Sequence, residues 1–492
     1  MVPVSTRSRR RKRILATAVS ALACAALIGG CSRPISGTPT TLGGYSTTEV
    51  AGLPATNGPS GPKEDAPSSS LPVEGTDNGA MDKLARDAVA DIDEFWTKTF
   101  PKAFPGKRFE PVKRLVSYDS GGPGLQLCGQ NTAGVVNAFY CPPEDSIAWD
   151  RGTLLPELNN SFGPMAVVTV LAHEIGHAVQ HRASTASSND QVIVLEQQAD
   201  CFTGAYFRHV AEGSSKYFQV STGQGLNEVM GVLNFIRDSP GDADFRDGNA
   251  HGSAFDRVTA FQFGFSEGPQ RCAKMDFNDV QRRTTLFQAW KPIQKENANL
   301  PVDQQSLDAV EKSLRTVFRD TGAEPPKIVA GLKPCGSEEA TSPASYCPST
   351  NTISLDMAAL QKIGQPPSKN ADSTGYGDFA AYAQVASRYA LSVQKATGLP
   401  LDDEAAGLRT ACMVGSWSGL LVEDPFGQRN PVGSLRIAPD DIDEGVSALL
   451  GEDSLIAANV NGDQVPVGFA RVEAFRVGVQ EGFAPCSTKY GA

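Results

Sequence analysis

His173-Glu174-Ile175-Gly176-His177 sets two imidazoles four residues apart, with a carboxylate directly after the first. On a helix, positions four apart lie about 40° apart around the axis, so both rings can address one ion. Glu174 is then near enough to take a proton from a water at that ion without binding the ion itself. A hydrolytic zinc site commonly takes three protein ligands and one water. Glu196, nineteen residues beyond His177, is the candidate third ligand. Asp200 lies one helical turn further on the same face and is placed to orient a ligand histidine by accepting its second ring N–H.

The elements that must hold these groups are legible around them. Pro164 suits a first helical turn, and Val167, Val168, Val170, Leu171, Ile175 and Val179 predict a buried helix over residues 163–182. A polar loop over residues 183–190 leads to a second helix, opened by Val192, Ile193, Val194 and Leu195 and capped by Asn189 or Asp190. That second helix carries Glu196 and Asp200. Upstream, Leu84, Ala88, Ile92, Phe95, Trp96 and Phe100 have helical spacing, and Pro101 marks a stop. Residues 112–117 and 147–149 read as strands. Downstream, residues 226–236 and 254–265 read as helices joined by a loop holding His251-Gly252-Ser253.

His251 is the best candidate for a second donor to a tetrahedral oxyanion; the alternative is a loop histidine that packs or caps locally. His181 as a fourth ligand would close the site to water, so it reads as a supporting or solvated side chain. His209 has no motif around it.

The second half repeats the first. Arg257-Val258-Thr259-Ala260-Phe261 recurs as Arg471-Val472-Glu473-Ala474-Phe475, and each copy reaches a cysteine downstream, Cys272 and Cys486. Cys128-Gly129 with Tyr140-Cys141-Pro142 matches Cys335-Gly336 with Tyr346-Cys347-Pro348. Cys201, Gly204 and Tyr206 match Cys412, Gly415 and Trp417. Tyr206 could donate to an oxyanion, but Trp417 at its matched position points to packing. Pairing cysteines within each repeat leaves three arrangements per repeat. The most economical is Cys128–Cys141 and Cys201–Cys272, mirrored by Cys335–Cys347 and Cys412–Cys486. A metal-ligand or nucleophile role for Cys201 is the alternative; Cys412 persists where Asp200 has become Ala411, which favours the structural one. In the second copy Ser387 to Leu391 stand opposite His173 to His177, and Gly407 stands opposite Glu196. All five histidines lie between His173 and His251, so the second half has no matching zinc site.

Six basic residues among Arg7 to Arg13 precede an apolar run over residues 14–28, too short for a comfortable membrane span. The run ends in Leu27-Ile28-Gly29-Gly30-Cys31, which resembles the lipobox of bacterial lipoproteins, with Cys31 as the lipidated residue. This predicts a signal peptide over residues 1–30 and a flexible Ser/Thr/Pro/Gly-rich tether over residues 31–80. The predicted setting is the cell envelope outside the cytoplasm, with the membrane reached through the N-terminal lipid alone. The formal net charge of −11 becomes six units more negative without that leader. Such a chain repels nucleic acid.

The residues Cys128-Gly129, Phe139-Tyr140-Cys141-Pro142, His173 to Gln180, Glu196 to Gly204 and His251-Gly252-Ser253 together resemble the bacterial neutral zinc metallopeptidases, with the thermolysin-like gluzincin arrangement behind them. The resemblance spans nearly the whole first repeat. It implies His173, His177 and Glu196 as ligands of one Zn2+ per chain, Glu174 as general base, and a peptide or protein substrate. The expected fold is α+β and predominantly helical, with two tandem homologous zincin-like domains over residues 81–275 and 276–492, the second lacking the metal site. The second copy could serve as a pseudo-dimer partner. The competing reading is a cell-envelope scaffold in which both repeats bind other proteins.

Overall fold

A computed structural model describes residues 48–185, 190–238, 251–283, 300–367, 375–422, 435, 437 and 440–490. The basic and apolar N-terminal run, Cys31 and the start of the expected tether lie outside the described residues. Among the described residues no helix is long and apolar enough to cross a membrane.

The chain opens with the paired strands β1 (Glu49–Val50) and β2 (Leu53–Pro54), then β3 (Gly61–Pro62). In α1 (Ala80–Ala103) the apolar residues recur every three or four positions and are buried. Pro101 sits in its last turn, so the helix runs two residues past the predicted stop. Next come β4 (Arg114–Tyr118), the small pair β5 (Gln126–Leu127) and β6 (Gln130–Asn131), then β7 (Ala138–Cys141) and β8 (Ser146–Asp150). Strands β4, β8 and β7 form one sheet in that order, β4 parallel and β7 antiparallel to the central β8. Ile147, Ala148 and Trp149 are wholly buried in β8, as a central strand requires. The half continues through α2 (Leu154–Phe162), α3 (Pro164–Ala183), α4 (Val192–Ala211), β9 (Phe218–Gln219) and α5 (Gln224–Phe235). It closes with α6 (Ala254–Glu267), α7 (Pro269–Cys272) and α8 (Phe277–Arg283).

The second half runs through α9 (Gln304–Val317), β10 (Lys327–Ala330), β11 (Ala344–Cys347), β12 (Thr352–Leu355) and α10 (Met357–Ile363). Then come α11 (Asp378–Ala396), α12 (Glu404–Leu421), α13 (Asp441–Leu450), α14 (Gly468–Glu481) and α15 (Ala484–Lys489). Its sheet has the order β10-β12-β11, with the same strand directions as the first. Disulfides join Cys128 to Cys141, Cys201 to Cys272, Cys335 to Cys347 and Cys412 to Cys486. The helix crossings repeat as well. A Cβ on Gly204 would lie 2.0 Å from the Phe261 carbonyl oxygen where α4 meets α6; one on Gly415 would lie 2.0 Å from that of Phe475 where α12 meets α14.

Two expectations change. Residues 48–79 are not a free tether. Gly61–Pro62 pairs with Phe218–Gln219, the Thr56 N–H donates to Thr222 Oγ1 at 2.8 Å, and Val50 is buried. Backbone hydrogen bonds fasten a stretch whose composition alone cannot show order. The N-cap of α4 is Gln191 rather than Asn189 or Asp190, and its side chain makes no capping bond; Asn189 lies outside the described residues. The two halves pack against each other. The described residues form one compact unit, and the largest apolar core runs through both halves. At the junction the rings of Phe265 and Phe469 lie 5.4 Å apart, and Gln262 Nε2 donates to the Phe469 carbonyl at 2.9 Å.

Tyr206 is fully buried and donates to Asp91 Oδ2 at 2.7 Å, away from the metal motif; Trp417 at the matched place donates to Ser313 Oγ. Both are packing residues with one polar tether. Tyr206→Phe is expected to lower stability by about 1–3 kcal/mol, because Asp91 loses a buried donor. Urea unfolding checks this, and an unchanged midpoint would contradict it.

Candidate metal centre

Helix α3 is buried on nearly every side, so His173 and His177 are held by packing. Gly176, inside the motif, makes the site possible. A Cβ there would stand 3.0 Å from both the Cα and the carbonyl oxygen of Ala199, so its absence lets α4 lie close against α3. Glu196 and Asp200, flanking Ala199, are thereby brought to the two histidines.

His173 Nε2 lies 3.0 Å from Glu196 Oε2, and His177 Nε2 lies 3.4 Å from Glu196 Oε1. One ligand atom from each of the three residues lies within 4.8 Å of the others. The remaining ring nitrogens are engaged elsewhere. His173 Nδ1 is 2.8 Å from Asp200 Oδ1, and since an ionised carboxylate only accepts, Nδ1 carries the proton. His177 Nδ1 is 2.9 Å from Gln180 Oε1, while Gln180 Nε2 donates to the Leu195 carbonyl. That second bond fixes which end of the amide faces the ring. With the Nδ1 atoms so engaged, it is the two Nε2 atoms that face the space beside Glu196, the arrangement found in metal-ligating histidines. Burial raises the Glu196 pKa, but the imidazoles of His177 and His173 outweigh it and hold the carboxyl well below its usual range.

Asp200 is completely buried, and its Oδ1 also accepts from Arg257 of α6 at 3.0 Å. Arg257 is itself only 2% exposed. Glu174 lines an open cleft of about 420 Å3 together with His173, His177, Glu196 and, from the edge strand β7 and the residue before it, Asn137 to Tyr140. Its Oε2 accepts the Tyr140 backbone N–H at 2.8 Å, and burial pushes its pKa up. His251 lines this cleft too. Its Nδ1 is 2.9 Å from Asp238 Oδ1, and its backbone N–H donates to Asp238 Oδ2 at 2.6 Å. The hydrogen bond to Asp238 raises the His251 pKa. His181 is exposed, and His209 packs its ring against Phe95.

Gln180, Asp238, Arg257 and the Tyr140 N–H thus join the groups singled out in the sequence. Arg257 stood in the repeat beside Arg471, but nothing in the string tied it to Asp200. Asp238 has no motif at all.

In the second half the corresponding space is filled. Arg388, opposite Glu174, is buried and donates to the carbonyls of Leu455, Ala458 and Asn459 at 2.9–3.0 Å. A Cβ on Gly407, opposite Glu196, would lie 2.7 Å from the Ala457 carbonyl oxygen. Chain from that segment occupies the ground where ligands would converge. Among the described residues the other possible cation cluster is Asp378, Asp441 and Glu444. There Asp378 Oδ2 accepts the Leu300 N–H and Glu444 Oε2 accepts the Phe379 N–H, which accounts for these two carboxylates as backbone caps.

Two imidazoles and one carboxylate, with a second carboxylate in the same open cleft, suit Zn2+ better than a hard cation that prefers oxygen alone. This is the donor set of a zinc hydrolase. Residues 40–275 match the model of the family described as "putative neutral zinc metallopeptidase". The chain is similar to the uncharacterized protein YpfJ of Escherichia coli, 27% identical over 205 residues, which is 37% of this chain and 68% of the relative. An uncharacterized protein of Mycobacterium tuberculosis is 25% identical over 167 residues, 30% of this chain and 57% of that protein. No solved structure matches.

Proposed function

We propose that this chain is an extracytoplasmic zinc metallopeptidase, anchored to the cell membrane by a lipid on Cys31, that hydrolyses peptide bonds in a peptide or protein substrate. The observation that carries the reading is the convergence of His173, His177 and Glu196 beside Glu174 in one open cleft. His173, His177 and Glu196 would hold one Zn2+. Bound there, the ion supplies Lewis acidity toward water and the substrate carbonyl. Glu174 takes the proton from the attacking water and passes it to the leaving amine. His251, held by Asp238, donates to the developing oxyanion. Asp200 and Gln180 keep the two imidazoles in the tautomer and orientation that expose Nε2.

On this reading residues 81–275 and 276–492 are two copies of one zincin-like fold, the second serving as a pseudo-dimer partner. The N-terminal lipid is its sole tie to the membrane, and nucleic acid is not a partner. The test is the metal content of the full chain purified without chelator. One equivalent of zinc is expected, lost on dialysis against a chelator together with hydrolysis of labelled casein. Protein without stoichiometric zinc, or hydrolysis that survives its removal, would overturn the reading in favour of a scaffold.

A further inference from the structure

The half without a metal site reaches into the half that has one. Asp443 on α13 is almost fully buried. Its Oδ2 accepts the Ala254 N–H and its Oδ1 the Phe255 N–H, each at 3.0 Å. Those are the first two residues of α6. The next two N–H groups are already satisfied within the first half: Asp256 N–H donates to Ser253 Oγ and Arg257 N–H to the Ser253 carbonyl. The N–H groups of Ala254 to Arg257 are therefore all met, two of them only by the other half. Arg237 Nε also lies 3.3 Å from Asp443 Oδ2.

The position of these contacts matters. Arg237 precedes Asp238, the residue that holds His251. Ala254 follows His251 by three residues and precedes Arg257, which grips Asp200, by another three. A single carboxylate thus fixes chain on both flanks of the Asp238–His251 pair and the start of the helix that orients Asp200. Carboxylate oxygens at a helix N-terminus satisfy backbone N–H groups that have no partner within the helix.

The mirror contact is different in kind. Asn227 on α5 stands against Gly468 at the start of α14, but its carboxamide oxygen makes no hydrogen bond among the described residues. The carboxylate cap exists only on the side that serves the cleft.

We infer that Asp443 is a positioning residue for the cleft: through the N-terminus of α6 and through Arg237 it sets the placement of His251 and Arg257, so the second half completes the site of the first. This rests on the metallopeptidase reading above. The geometry gives the second half a role in the reaction that needs no ligand of its own.

The test compares full-length Asp443→Ala, Asp443→Asn and Asn227→Ala, each shown to be folded by circular dichroism. Labelled casein hydrolysis, zinc release to a chromogenic chelator and amide hydrogen exchange over residues 251–257 are measured. Asp443→Ala is expected to lower kcat by roughly tenfold or more with KM little changed, as loss of an orienting partner does. It is also expected to speed exchange at residues 251–257. Asp443→Asn, which keeps an acceptor oxygen, recovers part of both losses and remains informative if the alanine variant does not fold. Asn227→Ala leaves both readouts at the wild-type level. Wild-type exchange and kcat in folded Asp443→Ala would overturn the proposal, as would an equal loss in Asn227→Ala. A wild-type chain with neither zinc nor hydrolysis defeats the metallopeptidase reading instead; the exchange data then decide alone whether Asp443 orders the segment.

Discussion

Glu174→Gln is expected to keep its zinc and lose peptide hydrolysis by about 10²–10⁴-fold, the usual share of a general base. The substitution is close to isosteric, and the Gln carbonyl oxygen can still accept the Tyr140 N–H that Glu174 now accepts at 2.8 Å. The side chain therefore stays in place while its capacity to take a proton goes. His173, His177 and Glu196 are untouched, so metal content is predicted to be unchanged. The loss falls on kcat, because the proton moves in the transition state and not on binding. Zinc analysis paired with casein hydrolysis reads both quantities. A zinc-loaded Glu174→Gln protein with wild-type kcat would remove Glu174 from the mechanism, whatever the fate of the metal site.

The second large effect is predicted at Asp200. Its Oδ1 accepts from His173 Nδ1 and from Arg257, and both groups are buried with it. Asp200→Ala leaves the Arg257 guanidinium charged, dry and without its carboxylate, a loss of about 3–5 kcal/mol. It also frees the His173 ring to turn, which weakens zinc binding by roughly 10–100-fold. The two effects are separable. Adding Arg257→Leu removes the stranded charge, so the double variant is expected to regain most of the stability and none of the zinc affinity. The second half contains a natural version of this change: Ala411 stands opposite Asp200, and Arg471 has turned to the Gly451 carbonyl at 3.0 Å. Urea unfolding and competition with a zinc chelator measure the two quantities. Equal zinc affinity in wild type and Asp200→Ala would show that Asp200 serves the fold and not the metal.

Much of the site was legible because its chemistry is local. His173, Glu174 and His177 share a helical face by spacing alone, and Glu196 and Asp200 share the next helix at one-turn spacing. The repeat made the rest of the frame readable: matched cysteines give a matched disulfide set, and matched glycines mark the same helix crossing twice. What escaped were groups whose partners lie far along the chain and carry no motif. Asp238 is a lone carboxylate until it closes on His251. Arg257 is one of two repeated arginines until Asp200 meets it. The polar stretch before α1 has the composition of a linker, yet it is fastened by backbone pairing with β9, which composition does not encode.

The sequence by itself determined which half carries the chemistry, since ligand identity and helical spacing are properties of residue type and order. It also determined that the second copy lacks the same site. Tertiary structure alone decided how that copy packs against the first. Arg388 and the segment around Ala457 fill the ground a metal would need, and Asp443 on α13 caps the helix that holds Arg257. These are contacts between residues up to 189 positions apart, and their energy comes from hydrogen bonds between buried side chains and backbone groups. No periodicity records such a contact, because it exists only once the two halves share one core.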